Sequence, residues 1–211
     1  MTLEATINYA TPVSYEQVLQ TADAVRARGI NVEIVDTAAE ALEKLTALIP
    51  AGATLMTGMS QTLQDIGLEA RLIDKAHPWI NLKDEMLAET DPAKQMEMRR
   101  NSTLSPYFVA SVQAIVQTGE IVVASGTGSQ LPAYAYSSPN VIWVAGVQKI
   151  VPTLDDALRR LREYSLPQEN IRMQALYGMN SVLGKILIIE QEPPMMRRNI
   201  TLILVNEPVG I

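Results

Sequence analysis

Two short segments carry the residue types that hold a small anion. Thr57-Gly58-Met59-Ser60-Gln61-Thr62 and Ser125-Gly126-Thr127-Gly128-Ser129-Gln130 each combine glycine with hydroxyl and amide side chains. Glycine lets the backbone approach a ligand closely, and the side chains add donors. Each segment follows a run of β-forming residues and precedes a helical pattern. Free backbone N–H groups at a helix start attract negative charge. In open α/β sheets, ligands lie beyond the carboxyl ends of the strands. Thr57, Gly58, Ser60, Gln61 and Thr62 are therefore expected to meet Gly126, Thr127, Gly128 and Ser129 around a phosphate or carboxylate. Glycines in a loop also serve bare turns, so the ligand reading requires the two loops to come together at one sheet edge.

Lys149, in Gly146-Val147-Gln148-Lys149, follows an apolar strand and is the expected positive charge for that anion; the alternative is a solvated lysine at a strand end. Arg197 and Arg198 are further cations that could reach the site, and a surface loop is the simpler reading. Arg99-Arg100 reads as the solvated face of a helix. Glu120, beside Gly119, has the chemistry of a carboxylate nucleophile but the setting of an exposed, inert turn residue. His77, between Ala76 and Pro78, is the only histidine, and cysteine is absent. Thiolate zinc sites, cysteine-ligated clusters, disulfides, a cysteine nucleophile and a Ser-His triad are thereby set aside. The residues imply neither a metal nor a cofactor.

The elements that must position these loops can be read along the chain. Its 211 residues are 47% apolar and 19% charged, values of a globular chain, and residues 1–211 read as one domain. Ser14 and Gln17 form a capping box before a stripe of Val18, Ala22 and Val25, which Gly29 ends. Asn31 to Asp36 is a strand. Thr37 and Glu40 start a second helix with Ala41, Leu42, Leu45, Leu48 and Ile49 on its buried face. Ala53 to Thr57 is the next strand, and this strand–helix–strand spacing indicates a right-handed crossover and a parallel pair. A third helix starts near Ser60. Pro92 suits the first turn of another, which ends before Ser105-Pro106. Tyr107 to Val116 and Ile121 to Ala124 read as a hairpin turning at Thr118-Gly119. A helix spans roughly Leu131 to Ser137, and Val141 to Gly146 is a strand covered on both faces. Thr153 and Asp156 cap a helix carrying Leu154, Ala157, Leu158 and Leu161. Lys185 to Glu190 and Asn199 to Asn206 are two further strands. Val25, Leu42, Leu45, Ile142, Val144, Leu158 and Leu161 should be core. The fold class is α/β: a mostly parallel sheet with helices on both faces and antiparallel hairpin additions.

The formal charge of −6 disfavours nucleic acid as a partner. Met1 to Ala10 has neither the basic segment nor the apolar run of a signal peptide. No apolar run is long enough to span a bilayer, so a membrane is not an expected partner and the cytoplasm is the expected location.

Several segments, taken in order, resemble the LUD-domain family, which is associated with lactate utilisation. They are Ile49-Pro50-Ala51-Gly52-Ala53, the run Gly58-Met59-Ser60-Gln61-Thr62-Leu63-Gln64-Asp65-Ile66-Gly67, and Ser111-Val112-Gln113-Ala114. Further on come Gly126-Thr127-Gly128, Lys149-Ile150-Val151-Pro152 and Ile203-Leu204-Val205-Asn206-Glu207. The resemblance implies a fold similar to the isomerase and CoA-transferase-like α/β superfamily, adds Gln113 to the ligand-binding set, and implies iron–sulfur proteins of lactate oxidation as partners. This chain departs from the family pattern. Gln113 stands where many shorter relatives have Asn, and Gln117 where they have an acid. Ser125 stands for an Asp and Gln130 for an Arg, and cysteines that some relatives carry near the C-terminus are absent. Acid–base chemistry needs a titratable group near the substrate, and these substitutions remove such groups.

Three functions remain in view. The first is an accessory protein of lactate or related organic-acid utilisation that binds a small anionic metabolite. The second is an isomerase or acyl/CoA transferase acting on a phosphorylated or CoA-linked substrate. The third is an interaction subunit that binds no ligand. The neutralised positions favour the first over the second, and the paired strand-end loops favour it over the third. Self-association into a homo-oligomer would show as an exposed apolar patch.

Overall fold

The computed structural model describes residues 7–211; the first six residues of the Met1–Ala10 stretch lie outside the described residues. The chain runs through helix α1 (Tyr15–Ala27), strand β1 (Asn31–Val35), α2 (Ala38–Leu48), β2 (Thr54–Thr57), α3 (Gln61–Asp65), α4 (Leu68–Ile73), β3 (Ile80–Asn81), α5 (Leu82–Ala88) and α6 (Pro92–Asn101). It continues through β4 (Tyr107–Ala110), β5 (Ala114–Val116), β6 (Ile121–Ser125), β7 (Asn140–Gly146), β8 (Ile150–Val151), α7 (Leu154–Arg160), α8 (Leu166–Tyr177), β9 (Lys185–Ile189) and β10 (Asn199–Val205). A wide-turned helix at Ala133–Ser137 precedes β7.

The helix starts follow from the caps. Ser14 accepts from the Gln17 backbone N–H at 3.3 Å, and the Gln17 side chain accepts from the Ser14 N–H at 3.1 Å, a full capping box. Thr37 likewise caps α2 through the Glu40 N–H, but the Glu40 carboxylate takes the N–H of Asp36 instead of Thr37. Such caps contribute about 1 kcal/mol each. Pro92 occupies the first turn of α6, with Asp91 as its cap.

Six strands form a wholly parallel sheet in the order β1-β10-β7-β4-β2-β3. β1 and β2 are thus parallel but do not pair as their spacing suggests, because β10, β7 and β4 insert between them. The sheet's alternating residues feed two cores. Ile142, Val144, Ile203 and Val205 pack with Ala41 and Leu45 of α2, Leu63 of α3, and Leu68 and Leu72 of α4. Val141, Trp143, Ile200 and Leu202 pack on the other side with Val18, Ala22 and Val25 of α1, Met86 of α5, and Ile115 and Val123 of a second sheet. The fold class read from the sequence is therefore observed: an α/β sheet covered on both faces. Val25, Leu45, Ile142, Val144 and Leu161 are buried as expected, whereas Leu42 and Leu158 are only half-buried at the edges of their cores.

The antiparallel addition is larger than a hairpin. β8-β5-β6-β9 form a separate four-stranded sheet, antiparallel except for the parallel β8–β5 pair. β5 and β6 are the expected hairpin, with Gly119 at φ +100° in its turn. Tyr107 to Val116 is not one strand, however. It is β4 of the central sheet and β5 of the second, joined by Ser111-Val112-Gln113. The chain makes the same crossing from β7 to β8 through Val147-Gln148-Lys149. The final two strands also part: β9 joins β6 of the second sheet, and β10 inserts between β1 and β7 of the first. Leu161, Ala157, Val116 and Val151 form a third core that fixes α7 on the second sheet.

Candidate functional site

A cleft of about 690 Å³ opens at the carboxyl ends of the strands, between the two sheets and α8. That volume suits a small organic ligand. Thr57, Gly58, Met59, Ser60, Gln61 and Thr62 line one wall; Ser125, Gly126, Thr127, Ser129 and Gln130 line another; Gln113 and Lys149 lie between them. The two loops thus share one cleft, although β2 and β6 belong to different sheets. Met86, Leu87, Met173, Leu176, Tyr177 and Val182 give the cleft an apolar side.

The donors are distributed differently from the sequence expectation. The Gly58 N–H donates to Val109 O at 3.0 Å, which continues the central sheet. Gln61 donates its side-chain amide to Asp65 at 2.7 Å. The Gly128 N–H donates to Ser125 Oγ at 2.8 Å, and the residue is absent from the cleft walls. A side chain at Gly128 would run into Lys185, not into a ligand. Ser125 Oγ in turn donates to Gln130 Oε1 at 2.8 Å, while Thr127 and Ser129 bond each other. Ser125 and Gln130, two positions where the sequence reading has the chain depart from the resembled pattern, are therefore touching partners inside the loop. Gln113 uses its Oε1 to accept the Ala124 N–H at 2.8 Å and so stitches β5 to β6.

Two hydroxyls in the first loop behave otherwise. Thr57 is 1% exposed, and its Oγ1 has no hydrogen-bond partner among the described residues. Ser60 begins α3 without a side-chain cap bond. A buried unpartnered hydroxyl costs about 1–3 kcal/mol unless something supplies its partner.

Lys149 is no solvated strand-end lysine. It is 2% exposed, and its Nζ contacts Thr62 Oγ1 at 2.9 Å, Ser111 Oγ at 3.0 Å and Val112 O at 3.2 Å. All are neutral oxygens. Burial first, then the charge of Arg160, hold the amine well below the usual lysine range, with Asp65 pulling the other way. Arg160 is itself buried without a carboxylate partner among the described residues; it donates to Gln113 O and Ser165 Oγ, and burial lowers it to about 10.

The other ionisable walls are Glu69, Lys83, Arg99, Glu169 and Arg172. Glu169 grips Arg172 through bonds of 2.8 and 2.7 Å, and the negative charge of Glu69 also acts on that guanidinium. Lys83 and Arg99 have no carboxylate within ion-pair distance among the described residues. Arg99 was expected on a solvated helix face; it is half-buried and looks into the cleft. Nothing in the local sequence marks it, because α6 has no buried stripe from which to infer an inward side.

The remaining candidates lie elsewhere. Glu120 is not an exposed turn residue: it is half-buried and paired with Arg28 and Thr118. His77 sits in a bend, accepts the Trp79 N–H at 3.2 Å and stacks on the Trp79 ring. Arg198 clamps the helix before β7, donating to the carbonyls of Ala133 and Tyr134 at 2.8 and 2.9 Å and pairing with Glu192 at 2.9 Å. Arg197 is exposed.

The LUD domain matches residues 18–205, nearly the whole chain. The chain belongs to the LUD-domain family. That family is the lactate-utilisation-associated one resembled by the sequence. Among solved structures, this LUD domain is similar to a DUF162 family protein from Deinococcus radiodurans at 14% identity and a TM-score of 0.55, covering 92% of this chain and 100% of that one. A likeness to eIF2B beta from Chaetomium thermophilum is weaker, with 17% identity and a TM-score of 0.36 over 67% of this chain and 47% of that one. No curated protein matches. Among the described residues no helix is long and apolar enough to cross a membrane.

Proposed function

We propose that this LUD domain serves lactate or related organic-acid utilisation in the cytoplasm by binding a small anionic metabolite in the cleft between its sheets. The observation that carries the reading is the pair of cations, Arg99 and Lys83, lining one cleft with the unpartnered hydroxyl of Thr57. A carboxylate or phosphate would pair with the cations and supply the missing partner of the hydroxyl. The apolar wall of methionines, Leu176 and Tyr177 would take its organic body.

The role is that of a holder more than of an acid–base enzyme. Glu169 is bonded to Arg172 and so is not a free general base, whereas Glu69 acts on that guanidinium through its charge alone. Iron–sulfur proteins of lactate oxidation are the partners that the family association suggests. The isomerase and acyl-transferase alternatives would have to act through Glu69, the wall carboxylate that Arg172 does not hold by a hydrogen bond.

A thermal-shift screen with lactate, pyruvate, a sugar phosphate and CoA tests the reading. At least one anion should raise the melting temperature, by less as salt increases. Arg99→Ala should weaken that response about tenfold in apparent affinity, as expected for loss of a charge-assisted contact, and Lys83→Ala should act in the same direction. Arg100→Ala, one position along the same helix but off the cleft, should not. Stabilising anions indifferent to both Arg99 and Lys83 would sink the proposal.

A further inference from the structure

The seam where the two sheets meet holds a group that anion binding does not use. Each sheet crossing contributes to it. The β4–β5 crossing supplies Ser111 and Val112, the β7–β8 crossing supplies Lys149, and α3 supplies Thr62. Thr62 Oγ1, Ser111 Oγ and Lys149 Nζ form a closed triangle with sides of 2.9, 3.0 and 3.0 Å. The backbone of Gly210 lies against the triangle. A Cβ there would sit 2.0 Å from Thr62 Oγ1 and 3.0 Å from Lys149 Nζ. All three side chains nevertheless line the cleft.

A buried lysine normally needs a carboxylate, because an unpaired charge in a low-dielectric site is expensive. This one has none. Its partners are two hydroxyls and a carbonyl, and a neighbouring cation, Arg160, further disfavours a second positive charge. A free amine fits the triangle: it donates its two protons to Ser111 Oγ and Val112 O and accepts from the Thr62 hydroxyl. Desolvation of this kind is what makes a lysine nucleophilic toward carbonyl compounds.

We propose that Lys149 is a nucleophilic amine that forms an imine with a carbonyl-bearing organic acid of the 2-oxo class held in the cleft. The Thr62 hydroxyl turns from the Nζ lone pair to the carbonyl oxygen, and the freed lone pair attacks the carbonyl carbon. The nitrogen passes a proton to Ser111, Ser111 passes its own to Thr62, and Thr62 protonates the carbonyl oxygen. The carbinolamine hydroxyl then leaves as water with the remaining nitrogen proton, passed along the same hydroxyls, and a C=N bond replaces the C=O bond. No oxidant or reductant is involved, and hydrolysis returns both partners. The proposal rests on the anion-binding reading for the carboxylate end of the ligand and on the triangle for the carbonyl end.

Trapping tests it. The full chain is incubated with pyruvate, and separately with uncharged glycolaldehyde, in the presence of cyanoborohydride, which reduces an imine to a stable secondary amine. Peptide mapping by mass spectrometry then locates the adduct. With pyruvate, Lys149 should carry roughly tenfold more adduct than any of Lys44, Lys75, Lys83, Lys94 or Lys185, since each unit of lowered pKa gives about tenfold more free amine. Lys149→Met, checked for folding by its melting curve, should abolish the selective adduct, and mapping of the wild-type protein decides the matter even if that variant does not fold. Adduct absent, or spread evenly over the exposed lysines, overturns the amine proposal even where pyruvate stabilises the protein. Equal trapping of glycolaldehyde and pyruvate at Lys149, with no effect of Arg99→Ala, supports the amine and overturns the anion reading instead.

Discussion

The two glycine-bearing loops of the cleft look alike in sequence and behave oppositely in the fold. Ser125 to Gln130 is closed upon itself: Ser125 receives the Gly128 amide and donates to Gln130, and Thr127 and Ser129 bond each other. Thr57 to Thr62 instead leaves the Thr57 hydroxyl without a partner and hands Thr62 to a buried lysine. A glycine-rich loop becomes a ligand site only if its donors are not already used. The segment with Gly-x-Gly, the more suggestive of the two on paper, is the more self-sufficient.

The contrast extends to what covers each loop, and that gives the largest expected effect. A side chain at Gly128, φ +85°, would meet Lys185 Cδ at 2.5 Å, the middle of a flexible chain that can swing aside. At Gly210, φ +75°, it would meet Thr62 Oγ1 at 2.0 Å, and Thr62 is short, buried and fixed by Lys149 and Ser111. Gly210→Val should therefore cost about 3 kcal/mol or more in urea unfolding, and Gly128→Val about 1–2 kcal/mol, mostly backbone strain. Equal losses would mean that the Thr62 triangle yields as easily as a lysine side chain.

Much of the frame of these loops was legible. The Ser14–Gln17 box, the Asp91-Pro92 start and the doubly covered strand at Val141 to Gly146 each follow from local chemistry that tertiary packing did not override. The split of Tyr107 to Val116 between two sheets was not. Ser111-Val112-Gln113 carries no glycine or proline, so nothing marks the crossing. Helix α8 is not legible because its cleft-facing stripe of Leu166, Met173, Leu176 and Tyr177 is interrupted by Glu169 and Arg172. Lys149 was placed at the right end of the right strand but in the wrong medium. Its position could be read from the sequence, whereas its burial depends on Gly210 and Thr62, far away along the chain.

That burial has a pH signature of intermediate size. With its pKa lowered in the folded protein, Lys149 stays a free amine while the unfolded chain, titrating near 10.5, still holds the proton. The unfolded state then binds more protons, so stability rises with pH from the lowered folded value toward about 10, by up to about 1.4 kcal/mol per pH unit. Arg160, lowered to about 10, adds its own share only at the top of that range. Lys149→Met removes the proton difference. Unfolding measured from pH 7 to pH 9.5 should show a rise in the wild type that is flattened in the variant. Parallel curves would mean that Lys149 is protonated in the fold, and the first loop would lose its claim to differ from the second.

The smallest effect is the most diagnostic. Thr57 lies in a strand, is buried, and has a hydroxyl that no described residue satisfies. Valine has nearly the same shape and suits a strand. If the hydroxyl is merely an unsatisfied group, Thr57→Val should stabilise the protein by about 1 kcal/mol and change nothing else. If it is reserved for a ligand, the same substitution should stabilise the free protein and also weaken anion binding by about two- to tenfold, the loss of one hydrogen bond. Opposite signs on stability and affinity are what a group kept for binding at the expense of folding must show. In the second loop, Ser125→Ala should lack this signature: it strips partners from Gly128 and Gln130, so it should destabilise the free protein by about 1 kcal/mol. Melting curves of both variants, with and without a stabilising anion, separate the two loops. A Thr57→Val protein that is less stable and binds as before would return both loops to the rank of ordinary turns.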